Sequence, residues 1–95
     1  MSAYLIADIE IKDEKGLERY LAEVPPMITK YGGRYIIRGG RVEVIEGNWK
    51  PRVLVALEFP TMDALKHWYD SEEYRPHRAD RIKATQSNAV LVEGI

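Results

Sequence analysis

Three charged residues of the sequence could together perform acid–base chemistry. Arg38 ends the apolar stretch RYIIR, just before Gly39-Gly40, while Asp8 and Glu58 each lie inside another apolar stretch. A guanidinium is permanently charged and presents fixed donors, so Arg38 could bind an anion or stabilise an enolate. A carboxylate whose pKa is raised by an apolar pocket could act as a general base. The alternative is that Arg38 forms a structural ion pair with Asp8 or Glu58.

Other kinds of reactive site have little basis in the sequence. The chain has no cysteine, which excludes a thiolate nucleophile, a disulfide and a cysteine-based metal site. His67 and His77 are the only imidazoles, and they lack the i, i+4 spacing of a helical metal pair. The glycine pairs that flank RYIIR have neither the spacing nor the lysine of a phosphate-binding loop. We therefore expect no metal and no cofactor.

Size and charge narrow the class of protein. The 95 residues are 45% hydrophobic and 31% charged, with a net charge of -1, which predicts one domain over residues 1–95. No long run of one sign provides a footprint for nucleic acid or for an anionic membrane surface. Asp8 and Glu10 interrupt the apolar N-terminal stretch, so we expect neither a signal peptide nor a membrane span there. The absence of cysteine fits a cytoplasmic protein.

The elements that position these residues can be predicted from hydrophobic periodicity. Alternation of apolar and polar residues predicts strands at 3–11, 34–38, 52–59 and 88–94, with a short extended piece at 41–47. An apolar stripe at helical spacing predicts a helix after Asp13, kinked or restarted at Pro25-Pro26. Thr61 should cap a second helical region, which is broken near Pro76. This order predicts an α+β, ferredoxin-like sandwich, with an antiparallel sheet and its helices on one face.

Alternation also divides the strand residues between two faces of the sheet. The helix-facing set should be apolar, and consists of Leu5, Ala7, Ile9, Ile11, Tyr35, Ile37, Val53, Val55, Leu57, Phe59, Val90 and Val92. The set on the other face, here called the open face, consists of Tyr4, Ile6, Asp8, Glu10, Arg34, Ile36, Arg38, Leu54, Ala56, Glu58, Leu91 and Glu93. An exposed apolar patch of this size usually marks an interaction site. We therefore expect a homodimer formed through the open face.

The open face is also where the sequence predicts a small-molecule pocket. The predicted catalytic residues are Asp8, Arg38 and Glu58, and the predicted ligand-binding residues are Tyr4, Ile6, Arg34, Ile36, Arg38 and Trp49. Trp49 would either cover the end of the barrel, contact the partner subunit or stack on a ligand. The expected ligand is a small, partly apolar molecule that is anionic or enolisable, with metal-free acid–base chemistry. The alternative is a non-catalytic dimeric binding or scaffold module.

Four segments resemble the signature segments of the domain-of-unknown-function 1330 family, and the resemblance covers essentially the whole chain: VPPMITKYGGRYIIRGG, VEVIEGNWKPRVLVALEFP, WYDSEEYRPHRADR and VLVEG. The resemblance implies a dimeric α+β barrel, in which the sheets of two ferredoxin-like protomers pack together. It implies no particular activity, although related members of the superfamily include cofactor-independent monooxygenases and isomerases. The segment RPHR, residues 75–78, departs from the smoother helical run of that family. The matching positions are Pro25, Gly32, Gly33, Arg38, Gly39, Glu46, Gly47, Trp49, Glu58, Tyr69, Tyr74 and Arg81.

Overall fold

The computed structural model describes residues 1–95 and has four strands and three α-helices. The strands are β1 (Ala3–Ile11), β2 (Arg34–Arg38), β3 (Val53–Phe59) and β4 (Thr85–Glu93). The helices are α1 (Glu18–Lys30), α2 (Met62–Tyr69) and α3 (Arg75–Ala84), with a 3₁₀ turn at Lys15–Leu17. The sheet is antiparallel throughout, with the order β2-β3-β1-β4. The predicted α+β, ferredoxin-like architecture is confirmed.

The helix ends agree with the local chemistry of the sequence. Thr61 caps α2, since its side chain accepts a hydrogen bond from the Ala64 amide at 3.0 Å. Gly32 ends α1 with a φ of 91°, a conformation that glycine adopts without strain. Pro76 lies in the first turn of α3, where its missing N–H would have no helical partner. The predicted break near Pro76 is the gap between α2 and α3.

Three boundary predictions need correction. Pro25 and Pro26 lie inside α1, so this helix does not restart there as one alternative predicted. Asp13 accepts a hydrogen bond from the Gly16 amide at 3.0 Å, within the 3₁₀ turn, and does not cap α1, whose N-cap residue is Leu17. The predicted extended piece at 41–47 belongs to neither a helix nor a strand.

The core lies between the helices and one face of the sheet. Phe59 from β3 stacks on Trp68 from α2 with 5.6 Å between the ring centroids, and Trp68 lies 4.2 Å from Tyr74. All three side chains are at most 1% exposed. Burial of a large apolar side chain contributes about 1.5–3 kcal/mol, so this aromatic cluster is a main source of the attachment of α2 and α3 to the sheet. None of the helices is long and apolar enough to cross a membrane.

The register of β4 is the first departure from the predicted faces. Leu91 lies opposite Leu5 and packs on the core, whereas Val90 and Val92 lie opposite Ile6 and Tyr4 on the open face. The prediction for these β4 residues was therefore wrong. The reason is that α3 ends at Ala84 and β4 begins at the next residue, so the buried Thr85 fixes the alternation of the whole strand.

A β-bulge in β2 is the second departure. Tyr35 lies opposite Leu57 and Ile37 lies opposite Ala56, so one extra residue interrupts the alternation. Arg38 consequently lies opposite Val55, on the helix-facing side of the sheet, and Ile37 faces the open side. The predicted placement of Arg38 beside Asp8 and Glu58 was wrong, because a bulge reverses the face of every residue that follows it in the strand.

Candidate ligand-binding cavity

A cavity with a volume of about 150 Å³ lies between the sheet and the helices. Most of its lining residues are hydrophobic, and the buried Leu57, Trp68 and Tyr74 are among them. Exposed residues, among them Ile11, Leu21 and Arg38, also line it and mark its mouth. This cavity lies under the helices, on the side of the sheet opposite to the open face for which the pocket was predicted.

The cavity exists because small side chains face large ones across it. Ala7 from β1 and Thr85 and Ala89 from β4 all line the cavity, and they are too short to fill the space under the helices. The register of β4 brings its small residues to this side, while Val90 points away. Tyr20 from α1 and Tyr35 from β2 supply aromatic walls.

Two arginines contribute the charge of the cavity. Arg81 is 9% exposed and lines the cavity, and Arg38 lies at the mouth with its guanidinium carbon 4.6 Å from the centroid of the Tyr35 ring. Every other arginine of the chain forms an ion pair with a carboxylate. Arg38 and Arg81 form none, so the two arginines without a counter-ion are the two that line the cavity. The predicted alternative, an ion pair of Arg38 with Asp8 or Glu58, was wrong.

A pair of phenols lies beside Arg81. The hydroxyls of Tyr20 and Tyr74 are 2.7 Å apart and hydrogen-bond to each other. Burial, and then the neighbouring Tyr74, raise the pKa of Tyr20 well above its ordinary value, and burial likewise raises the pKa of Tyr35. Burial acts to lower the pKa of Arg81, but the Tyr74, Tyr20 and Tyr69 phenols outweigh it and raise that pKa. At neutral pH Tyr20 and Tyr35 are therefore neutral and Arg81 is charged.

The two carboxylates predicted to be catalytic lie on the open face, away from Arg38. Asp8 accepts hydrogen bonds from the Trp49 indole N–H and the Arg52 amide, both at 2.9 Å. Glu58 accepts them from Arg34 Nε at 2.8 Å and the Tyr4 hydroxyl at 3.0 Å. Arg34 first, and then Tyr4, hold the pKa of Glu58 below its ordinary value.

The predicted ligand-binding residues other than Arg38 do not line the cavity between the sheet and the helices. Bonding between Tyr4 and Glu58 raises the pKa of the Tyr4 phenol, so the cluster of Tyr4, Arg34 and Glu58 is stable as a neutral phenol beside an ion pair. Ile6 and Ile36 are exposed. Trp49 is 58% exposed and lines only a shallow depression of the 42–51 segment. Of the predicted catalytic and ligand-binding residues, Arg38 alone lines the cavity between the sheet and the helices.

Sequence reasoning missed Arg81, Tyr20 and Tyr74 as site residues. A signal for Arg81 was present, because Tyr74, His77 and Arg81 follow the i, i+3, i+7 spacing of one helix face, and the structure buries all three. An arginine at the helical spacing of a buried helix face needs a partner or a ligand, since burial of an unpaired charge costs free energy. The bulge that moves Arg38 to the cavity had no comparable signal.

The two histidines make separate contacts. His77 Nε2 lies 2.8 Å from Glu23 Oε1 and its Nδ1 lies 3.2 Å from the Glu73 carbonyl, so His77 joins α3 to α1. The ring of His67 lies 5.5 Å from that of Tyr31. No group of three or more histidine, cysteine, aspartate or glutamate side chains is arranged to hold a metal ion.

Comparison with solved structures gives relatives of the same fold. The crystal structure of methylated RPA0582 protein superimposes with a TM-score of 0.78 at 13% identity, covering 99% of this chain and 81% of that one. A second structure of RPA0582, a protein of unknown function from Rhodopseudomonas palustris, has a TM-score of 0.77 at 13% identity, with 99% and 82% covered. SnoaB from Streptomyces nogalater, described as a cofactor-independent oxygenase, has a TM-score of 0.66 at 11% identity, with 99% and 93% covered.

Of the two sequence comparisons, one gives a match. No curated protein matches this chain. A family model described as "Domain of unknown function (DUF1330)" matches residues 2–95.

Proposed function

We propose that this chain, which belongs to the DUF1330 family of domains of unknown function, binds a small, partly apolar anion in the cavity between its sheet and its helices. The observation that carries the proposal is the position of the two arginines without a counter-ion, Arg81 inside the cavity and Arg38 at its mouth. A buried guanidinium needs a compensating negative charge. No carboxylate of the chain supplies one, so a ligand would, while the apolar lining would hold the rest of that ligand.

We also propose that the open face forms a homodimer. Its apolar side chains include Ile6, Ile37, Val90 and Val92, which are 43–58% exposed. An isologous sheet-to-sheet contact would bury this patch, and stable interfaces of this kind bury on the order of 1,600 Å² in total. The register of β4 strengthens the case, because it adds two valines to the open face in place of Leu91. The cysteine-free composition makes the cytoplasm the proposed location of this dimer.

The chemistry that such a cavity would support is stabilisation of negative charge. Arg81 and the Tyr74 hydroxyl would stabilise an enolate if the bound molecule were enolisable. Asp8 and Glu58 lie across the sheet, so neither would act as the base in this cavity. The likeness to SnoaB is one of fold alone, and binding of the anion is the function that we put forward.

A thermal-shift screen with small carboxylates, phenols and quinones tests the binding proposal. We expect at least one anion to raise the melting temperature of the wild-type protein, and Arg38→Met to reduce that shift. Arg75→Met is the control, because Arg75 is exposed, pairs with Glu72 and does not line the cavity. No response to any anion would overturn the proposal and favour the non-catalytic scaffold.

Light scattering coupled to gel filtration tests the dimer. We expect twice the chain mass of 10.9 kDa, and a monomer mass for Val90→Lys. Ile82→Lys is the control, because Ile82 is 61% exposed but lies on α3, away from the open face. A wild-type protein that is monomeric at micromolar concentration would contradict this part of the proposal.

A further inference from the structure

The class of ligand can be narrowed from the size of the cavity, an inference that rests on the anion binding proposed above. The cavity has a volume of about 150 Å³, and apolar cavities of about that size accommodate benzene. A molecule with one six-membered ring would therefore fill it, and a fused two-ring system would not fit without displacement of the walls. Protein interiors resist such displacement because they are closely packed.

The charge expected of the ligand follows from the charge at the inner end of the cavity, where Arg81 lies. Arg81 is the only ionised residue there, so one negative charge neutralises it. A dianion such as a phosphate monoester would leave one charge uncompensated in a largely apolar space. A carboxylate has one charge, and its two oxygens match the paired donors of a guanidinium.

Two further features favour a carboxylate attached to a flat ring. The buried indole N–H of Trp68 has no hydrogen-bond acceptor in the protein, and Trp68 lines the cavity. The polar side chains around the cavity therefore supply hydrogen-bond donors, and none of them is a carboxylate. Tyr20, Tyr35 and Tyr74 surround the same space with aromatic rings, which pack on a flat ring by their faces and edges.

The geometry points to a monocarboxylate with a single six-membered ring, of which benzoate is the simplest, bound with its carboxylate toward Arg81 and its ring among the tyrosines. Arg38 would act differently, because it lies exposed at the mouth on the Tyr35 ring. An exposed cation at an entrance attracts an anion but holds it weakly. We therefore assign most of the affinity to Arg81, and a smaller share, together with attraction of the ligand to the entrance, to Arg38.

Titration of the wild-type protein with four probes tests this inference. NMR of the indole N–H signals is the readout, because the chain has two tryptophans and only Trp68 lines the cavity, while Trp49 is bonded to Asp8 on the open face. We expect benzoate to shift the Trp68 signal and leave the Trp49 signal in place. Benzamide, which has the same shape without the charge, should bind at least ten-fold more weakly. We expect no saturable shift with 2-naphthoate or with phenyl phosphate.

A variant tests the role of Arg81. Arg81→Met should weaken benzoate binding at least ten-fold and leave benzamide binding within about two-fold, as expected when one charge-assisted hydrogen bond is lost. Arg75→Met, on the same helix and exposed, should change neither. The probe series on the wild-type protein remains decisive if Arg81→Met does not fold.

The outcomes separate this inference from the binding proposal on which it rests. If 2-naphthoate or phenyl phosphate shifts the Trp68 signal at lower concentration than benzoate, the ligand class is wrong and the anion site stands. Equal binding of benzamide and benzoate would overturn the role of Arg81 and with it the anion site. The same holds if no probe moves the Trp68 signal and the anion screen is also negative.

Discussion

Replacement of Arg81 by methionine should stabilise the protein in the absence of ligand. Arg81 is 9% exposed and has no carboxylate partner. Tyr20 and Tyr35 are neutral at neutral pH, so they offer hydrogen bonds but no negative charge, and the Arg81 guanidinium loses hydration on folding without gaining a counter-ion. Methionine keeps most of the apolar volume of the stem, which avoids a large new cavity. The Tyr20 and Tyr74 hydroxyls would still bond to each other, so neither is left without a partner.

The expected gain can be set by comparison with other buried charges. Replacement of buried ion pairs or triads by apolar residues is often neutral or stabilising by about 1–4 kcal/mol. Only one charge is removed here, and the cavity has an open mouth, so we expect the lower part of that range, about 1–2 kcal/mol. Each kcal/mol corresponds to about 4–8 °C in the melting temperature of a domain of this size, which makes the gain easy to detect.

Urea unfolding followed by circular dichroism measures this effect, at one fixed protein concentration because dissociation of the proposed dimer would otherwise contribute. Arg75→Met is the matched control on the same helix, and loss of its exposed pair with Glu72 should change the free energy of unfolding by less than about 1 kcal/mol. A loss of more than about 2 kcal/mol in Arg81→Met, the size typical of a broken buried network, would refute the reasoning. Arg81 would then stabilise the fold without a ligand, the argument for an anion site from its unpaired charge would fail, and the probe series on the wild-type protein would have to decide whether the site exists.

Three further changes have defined outcomes. Gly33→Ala should lower the free energy of unfolding by several kcal/mol, because the new methyl group would overlap the buried Phe59 ring. Gly40→Ala should change it little, since no neighbouring atom lies within 4 Å of the new methyl group. Equal effects of the two variants in urea unfolding would contradict this prediction. Glu58 has a pKa below its ordinary value of 4.5, because of its bonds to Arg34 and Tyr4, so its stabilising effect is complete above that pH and is lost as the pH falls through the lowered pKa. The difference in melting temperature between the wild-type protein and Glu58→Gln should therefore shrink on acidification, and a difference independent of pH would show that the carboxylate charge is irrelevant. Elemental analysis after dialysis against a weak chelator should find no stoichiometric zinc, iron or copper, and one metal per chain would refute the expectation.

The strand and helix order could be predicted because each element repeats its signal over several residues. The alternation AYLIADIEI extends over the whole of β1, and its predicted bounds agree with the structure, as do those of β2. The face of the sheet on which each residue lies is harder to predict, because it depends on the register of one strand against its neighbour. In NAVLVEG the residues Val90, Leu91 and Val92 are all apolar, so local periodicity cannot tell which of them faces the helices. The direct connection from α3 to β4 decides it, and that connection is a property of the folded chain.

The candidate site was harder to predict for a different reason. Strand alternation places the charged residues Asp8, Arg38 and Glu58 on one face of the sheet, which predicts a site made of strand residues alone. The structure instead combines one strand arginine with a helix arginine and with tyrosines from three elements. Such a combination depends on packing between elements, which a single sequence does not encode in any local pattern.

The bulge in β2 is what gives the mouth of the cavity its charge. With regular alternation, Ile37 would lie over the cavity and Arg38 would face the open side, so the mouth would be apolar and the open face would carry one more cation. β2 lies at the edge of the sheet and pairs only with β3, so the irregularity disturbs one ladder of hydrogen bonds, whereas a bulge in β1 would disturb two. Gly39 then follows with a φ of 68°, and its amide bonds to the Leu54 carbonyl at 2.8 Å, which ties the chain beyond Arg38 to β3. An edge strand held in this way can present Arg38 to the cavity while the apolar residues of the other face remain available for a partner subunit.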